Sequence, residues 1–173
     1  LQGAMTVSQS LFNIQFKERM DLPKHHPLVR TFEVLKGNDD DGTLRVFGVL
    51  YIDYFTRPSK RSGAWMSIFR GQSNMDSPVL PVVINVCNFP PPSEDCPSLL
   101  SSGQVKTLFH EFGHALHGLL SEAKYPSLAG TKVVRDYVEF PSQLMENWGH
   151  SPEVIKTYAF HYKSGEVIPD SLL

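Results

Sequence analysis

Cysteine is scarce in this sequence: Cys87 and Cys96 are the only two in 173 residues. Two thiols cannot build a disulfide scaffold, and their C-x8-C spacing is too wide for the close pairs of a zinc ribbon. They read as structural thiols in a reducing compartment, with a strand-to-loop disulfide as the alternative. An excess of charge is also missing, with 16 Lys+Arg against 18 Asp+Glu and a net charge of −2. That balance excludes a nucleic-acid binder that works by neutralising phosphates. No apolar run approaches the roughly 20 residues needed to span a bilayer. No basic stretch followed by an apolar run and a small-residue cleavage site opens the chain, so the expected location is cytoplasmic. Nor is there an internal repeat or a low-complexity tract. The first residue is Leu1 rather than Met, and it stands inside a helical periodicity without a cap. The sequence therefore reads as an excised fragment or processed product, one domain or part of a larger one.

What is present sorts into a helix, a sheet region and then helices. Leu1, Met5, Ser8, Leu11, Phe12 and Phe16 recur near helical spacing, so residues 1–20 are predicted to be the end of an amphipathic helix. Residues 28–87 carry strand-like runs at Val29–Leu35, Leu44–Phe55, Ala64–Phe69 and Val79–Val86, with a turn cluster at Asn38–Gly42. The run from Val79 is almost wholly apolar and reads as a central strand, with Pro81 near its start. Helical periodicity returns at residues 101–121, with an apolar face of Leu108, Phe112, Ala115, Leu116 and Leu119. Residues 135–163 are predicted to hold two further helices, from Asp136 to about Trp148 and from Pro152 to Lys163. The predicted class is α+β, a small, mostly antiparallel sheet packed against the helices.

The chemically informative segment is His110-Glu111-Phe112-Gly113-His114, an H-E-x-x-H inside the second predicted helix. Four residues rotate a helix by about 400°, so His110 and His114 share a face about 6 Å apart. Two imidazoles so placed can reach one ion at zinc–nitrogen distances. Glu111 is rotated about 100° from His110, flanking the ion, where a carboxylate can accept a proton from water. Gly113 lowers helix propensity, which fits a close approach by another element. A catalytic zinc usually takes three protein ligands and keeps one open position, and Glu139 is the candidate third. Asp136 and Glu139 also fit a D-x-x-E capping box, which would put Glu139 in a first helical turn. His117, three residues past His114, is assigned an orienting or packing role. The extended metzincin pattern is absent, because residue 120 is Leu rather than His. The Asp39–Asp41 run lacks the ligand spacing of an EF-hand. His25, His26, His150 and His161 are read as surface residues.

These motifs resemble the M3 zinc oligopeptidases, the thimet oligopeptidase and oligopeptidase A family. The resemblance rests on His110–His117, on Asp136-Tyr137-Val138-Glu139-Phe140-Pro141-Ser142-Gln143, and on Tyr51-x-Asp53 through Arg57, Lys60 and Gly63-Ala64-Trp65. Leu80–Phe89 and Ser164–Asp170 extend it over nearly the whole chain, and Tyr125–Thr131 with Glu139–Trp148 resemble the bacterial peptidyl-dipeptidase branch. The resemblance implies a zincin-like partial catalytic domain over residues 1–173. It implies one Zn²⁺ per chain held by His110, His114 and Glu139, with Glu111 as general base. Glu146, seven residues after Glu139, would be able to orient a ligand imidazole. Gly63 and Ala64 match a strand near the metal helix that could pair with a peptide. The implied partners are oligopeptide substrates and the remainder of a longer enzyme, with neither nucleic acid nor membrane. Full-length relatives carry downstream Tyr and His oxyanion donors that are absent here, so an isolated fragment is expected to bind zinc and turn over poorly. His161-Tyr162 lies upstream of the landmark preceding those donors and does not replace them. Three readings stay open: release of C-terminal dipeptides, endo-oligopeptidase action, and a non-catalytic zinc-stabilised module closed by a fourth ligand such as His117. A metal-free binding domain with packing histidines is the fourth.

Overall fold

The computed structural model describes residues 1–37 and 43–173. The Asn38–Gly42 turn cluster and the Asp39–Asp41 run lie outside the described residues. Helix α1 (Gln2–Phe12) leads into strands β1 (Ile14–Glu18), β2 (Arg30–Gly37), β3 (Leu44–Phe55), β4 (Trp65–Arg70) and β5 (Val82–Phe89). Helices α2 (Ser102–Leu119), α3 (Phe140–His150) and α4 (Pro152–Ile155) follow. The α+β class is as expected.

The sheet is mixed rather than mostly antiparallel, which corrects the expectation. Its order is β1-β2-β3-β5-β4. β3 and β5 run parallel, while β1–β2, β2–β3 and β4–β5 are antiparallel. The physical reason is burial. β5 is buried or half-buried along its whole length and suits a strand flanked on both sides. β4 leaves Ser67, Phe69 and Arg70 exposed and takes the edge.

Three helix boundaries also differ from expectation. α1 stops at Phe12 because Asn13 adopts a left-handed conformation, φ 50° and ψ 45°. Ile14–Glu18 then pairs with β2, so Phe16 belongs to a strand rather than to the helix. α3 begins at Phe140 with Glu139 at its N-cap position. Asp136 caps nothing there, and Pro141 sits in the first turn, where no intrahelical donor is needed. α4 is a single turn that does not reach Lys163. Tyr158 leaves the helix to donate to Gly149 O at 2.8 Å, and Phe160 bridges to Val167 around the positive-φ Gly165.

α2 lies across one face of the sheet. Ser101 caps it: its Oγ accepts from Gln104 N at 3.3 Å, and Gln104 Oε1 accepts from Ser101 N at 2.9 Å. Leu108, Phe112, Ala115 and Leu119 then pack with Phe32, Leu50, Ile52, Val83 and Phe89 in one core. Cys87 belongs to that core and Cys96 is half-buried, and both are free thiols. Burial pushes the Cys87 thiol up to about 12, which makes it a packing group rather than a nucleophile. Among the described residues no helix is long and apolar enough to cross a membrane.

Candidate metal centre

Two helices meet at backbone distance to make this site. A Cβ on Gly113 of α2 would lie 2.6 Å from Ser142 Cα and 2.9 Å from Pro141 O. Only glycine permits that approach, the close contact that the sequence anticipated. It sets the start of α3, and Glu139 just before it, beside the histidine face of α2. Gly113→Ala should therefore cost stability although alanine favours helix. Overpacking against immobile backbone costs about 1–3 kcal/mol, against a propensity gain of about 1 kcal/mol. A net loss of up to about 2 kcal/mol, read by denaturant unfolding, is expected. Unchanged stability would mean that α3 can slide.

His110, His114 and Glu139 offer ligand atoms that all lie within 4.8 Å of one another. Nε2 of His110 is 3.3 Å, and Nε2 of His114 3.1 Å, from the same Glu139 Oε2. The two rings stand edge to face, 4.8 Å between centroids. Both nitrogens thus point at one oxygen from two sides.

The surrounding groups fix these side chains. Glu146 Oε1 lies 2.7 Å from His110 Nδ1 and accepts its proton, which leaves Nε2 as a lone-pair donor. Lys106 Nζ sits 3.1 Å from the other Glu146 oxygen. Desolvation works to raise the Glu146 carboxyl, but bonds from His110 and Lys106 outweigh it and hold it below the usual range. Ser142 Oγ donates to Glu139 Oε2 at 2.9 Å. Sequence reasoning missed Ser142 and Lys106; the three-residue step from Glu139 to Ser142 was the signal for the first.

Glu111 is buried, and its Oε2 has no hydrogen-bond partner among the described residues. Burial raises its carboxyl, the nearby His110 lowers it, and Glu139 raises it further, for a net rise. Burial likewise lowers the His114 imidazole, against the pull of Glu139. A neutral imidazole is the form that ligates metal. His110 Nε2, with its partner nitrogen protonated, faces a carboxylate acceptor at close range. Such facing acceptors suit a shared cation, and two nitrogens with one oxygen suit zinc or a similar ion.

His117 stands apart from the three grouped donors. Its ring meets Tyr137 edge to face at 6.4 Å, and burial lowers its pKa. Gly63, with φ 93°, and Ala64 precede the edge strand β4. Asn88 Nδ2 donates to Gly63 O at 2.7 Å. His25 does more than occupy the surface, because its Nε2 lies 3.0 Å from the buried Asp53 carboxylate.

Residues 1–173 match the model of peptidase family M3. The chain is 44% identical over 171 residues to the dipeptidyl carboxypeptidase of Escherichia coli, covering 99% of this chain and 24% of that protein. It is 40% identical over 176 residues to oligopeptidase A of Salmonella typhimurium, covering 100% of this chain and 25% of that protein. It is 35% identical over 177 residues to the mitochondrial intermediate peptidase of Arabidopsis thaliana, covering all of this chain and 24% of that protein. The chain thus spans about a quarter of the length of these relatives. A full-length family match together with 40% and greater identity places it: the chain belongs to peptidase family M3.

Proposed function

We propose that this chain carries the zinc site of a cytoplasmic, zincin-like metallopeptidase that hydrolyses oligopeptides and releases C-terminal dipeptides. The observation that carries the reading is the meeting of His110, His114 and Glu139 beside a buried, unpartnered Glu111 oxygen. Similarity to a dipeptidyl carboxypeptidase favours dipeptide release over internal cleavage.

His110 Nε2, His114 Nε2 and Glu139 Oε2 would hold one zinc ion. Zinc, when bound, acidifies a water molecule towards neutral pH and polarises a peptide carbonyl. Glu111 takes a proton from the attacking water at Oε2 and returns it to the leaving amine. Burial raises its carboxyl, which makes it a stronger base for taking that proton. Glu146 keeps the His110 ring in one tautomer, and Ser142 keeps the Glu139 carboxylate turned towards the imidazoles. Strand β4, starting after Gly63 and Ala64, offers an unpaired edge on which an extended substrate can lie. The isolated chain is expected to bind zinc but turn over poorly, since oxyanion donors can each contribute about 3–4 kcal/mol to barrier lowering.

The test is metal analysis and peptide cleavage mapping on the complete protein. Wild type should hold one zinc per chain and lose cleavage with a chelator. Glu139→Ala should lose stoichiometric zinc and activity together. Full zinc in the Glu139→Ala variant would remove Glu139 from the ligand set. Zinc without any cleavage in the wild type would favour a structural zinc module.

A further inference from the structure

A buried amide beneath helix α2 finds no hydrogen-bond partner within its own sheet. Val83, Asn85, Cys87 and Phe89 alternate onto the face of β5 that α2 covers, and all four are buried. Asn85 is fully enclosed, yet neither its Nδ2 nor its Oδ1 has a hydrogen-bond partner among the described residues. Across the ladders it faces Ile52 of β3 and Met66 of β4. Its neighbours along β5 on this face are Val83 and Cys87. None of the four offers a side-chain nitrogen or oxygen, so the amide must look to the helix above.

The register between β5 and α2 says which turn that is. A Cβ on Gly118 would lie 3.2 Å from Val83 Cγ2. At the other end, the Glu111 charge acts on Cys87. A strand advances about 3.3 Å per residue and a helix about 1.5 Å. Asn85, midway between Val83 and Cys87, therefore lies under the turn midway between Gly118 and Glu111, which carries His114. Among the described residues, Glu111 Oε2 and His114 Nδ1 near that turn are buried without partners, as is His117 Nδ1 one turn further on. Tyr54, two residues from Ile52 on β3, adds its own unpartnered hydroxyl to the same patch. A carboxylate oxygen needs a donor. An imidazole that ligates through Nε2 needs an acceptor at Nδ1. A carboxamide supplies one of each.

We infer that Asn85 is a positioning residue for the metal site, its Nδ2 donating towards Glu111 Oε2 and its Oδ1 accepting from the side of His114 Nδ1, each through a buried water. It does for His114 what Glu146 does for His110. Buried polar groups are retained where they are paired, and an amide set in a strand of Val, Ile and Cys is otherwise a defect. The inference rests on the zinc reading above.

The complete protein, as wild type, Asn85→Leu and Asn85→Asp, is tested for zinc affinity by competition with a chromogenic chelator. kcat and KM at saturating zinc and the thermal midpoint are measured alongside. Asn85→Leu should keep or raise the midpoint, weaken zinc about 10–100-fold, and lower kcat at least about tenfold with KM nearly unchanged. Asn85→Asp retains the acceptor for His114 but sets a charge beside Glu111. It should hold zinc almost as wild type and still lose kcat. If the leucine variant fails to fold, that split in the aspartate variant decides the matter. A stable leucine variant with wild-type zinc affinity and kcat overturns the assignment, as does an aspartate variant with wild-type kcat. A wild type that binds no zinc removes the metal reading itself, and this inference with it; a wild type that binds and cleaves isolates any failure to Asn85.

Discussion

Glu111→Gln in the complete protein is expected to lower peptide hydrolysis about 10²–10⁴-fold while zinc remains at one per chain. The substitution keeps the shape of the side chain and removes its basicity. Glu111 is one residue past His110 and so lies about 100° round the helix, beside the ligand face. Among the described residues its Oε2 is buried without a partner, and it is not one of the grouped ligand atoms. Loss of a general base costs about 10²–10⁴-fold in rate. A kcat reduced by that factor, with unchanged metal content and a KM of the same order, is the expected result. Ordinary turnover in the variant would remove Glu111 from the mechanism, even with the ligand set intact.

Asp53→Ala should destabilise the sheet by about 3–5 kcal/mol, the cost of breaking a buried ion pair from one side. Asp53 is 3% exposed, near the end of β3. Arg57 grips both of its oxygens at 2.6 Å, His25 reaches Oδ2 at 3.0 Å, and Lys60 Nζ reaches Oδ1 at 3.1 Å. Lys60 also donates to Asp53 O and Phe55 O at 2.9 Å each, and to Cys87 O. One ammonium thus ties β3 to β5 across their parallel seam. Without Asp53, that buried cation and Arg57 lose their counter-charge.

The same cluster sets an acid limit. Burial alone would raise the Asp53 carboxyl, but the bonds from Arg57, His25 and Lys60, with the Lys60 charge, hold it far below the ordinary range. A carboxyl depressed in the folded state stabilises fully above the unfolded value of about 3.9. That contribution declines as pH falls below it and is gone once the folded carboxyl is protonated. Urea unfolding of wild type and Asp53→Asn across pH 2–7 measures it. The gap between the two proteins should be widest at neutral pH and close towards pH 2. A gap that does not change with pH would mean that Asp53 acts by shape rather than by charge.

Local order was legible in the amino acids because it repeats over a few residues. The helical phase of His110, Glu111 and His114 follows from 3.6 residues per turn, and so does the apolar stripe of Leu108, Phe112, Ala115 and Leu119. The reciprocal cap of Ser101 and Gln104 is a three-residue pattern. The apolar run that became β5 announced an enclosed strand. Glu146, two turns beyond Glu139, pointed to an imidazole partner, and a bond to His110 is what it makes.

Distances between segments had no such local code. Nothing in residues 56–81 says that β5 inserts beside β3 and pushes β4 to the edge; that choice follows from which strand can be enclosed on both sides. Asn13 ended α1 because its short polar side chain tolerates a left-handed turn, while the apolar spacing ran on through Phe16. The site itself depended on Gly113, whose missing side chain lets Pro141 and Ser142 reach α2, and so decides where Glu139 stands. Sequence alone supplied the chemical groups and their helical phase. Packing alone decided which of them face each other, because side-chain volume sets the separation between elements and sequence spacing does not.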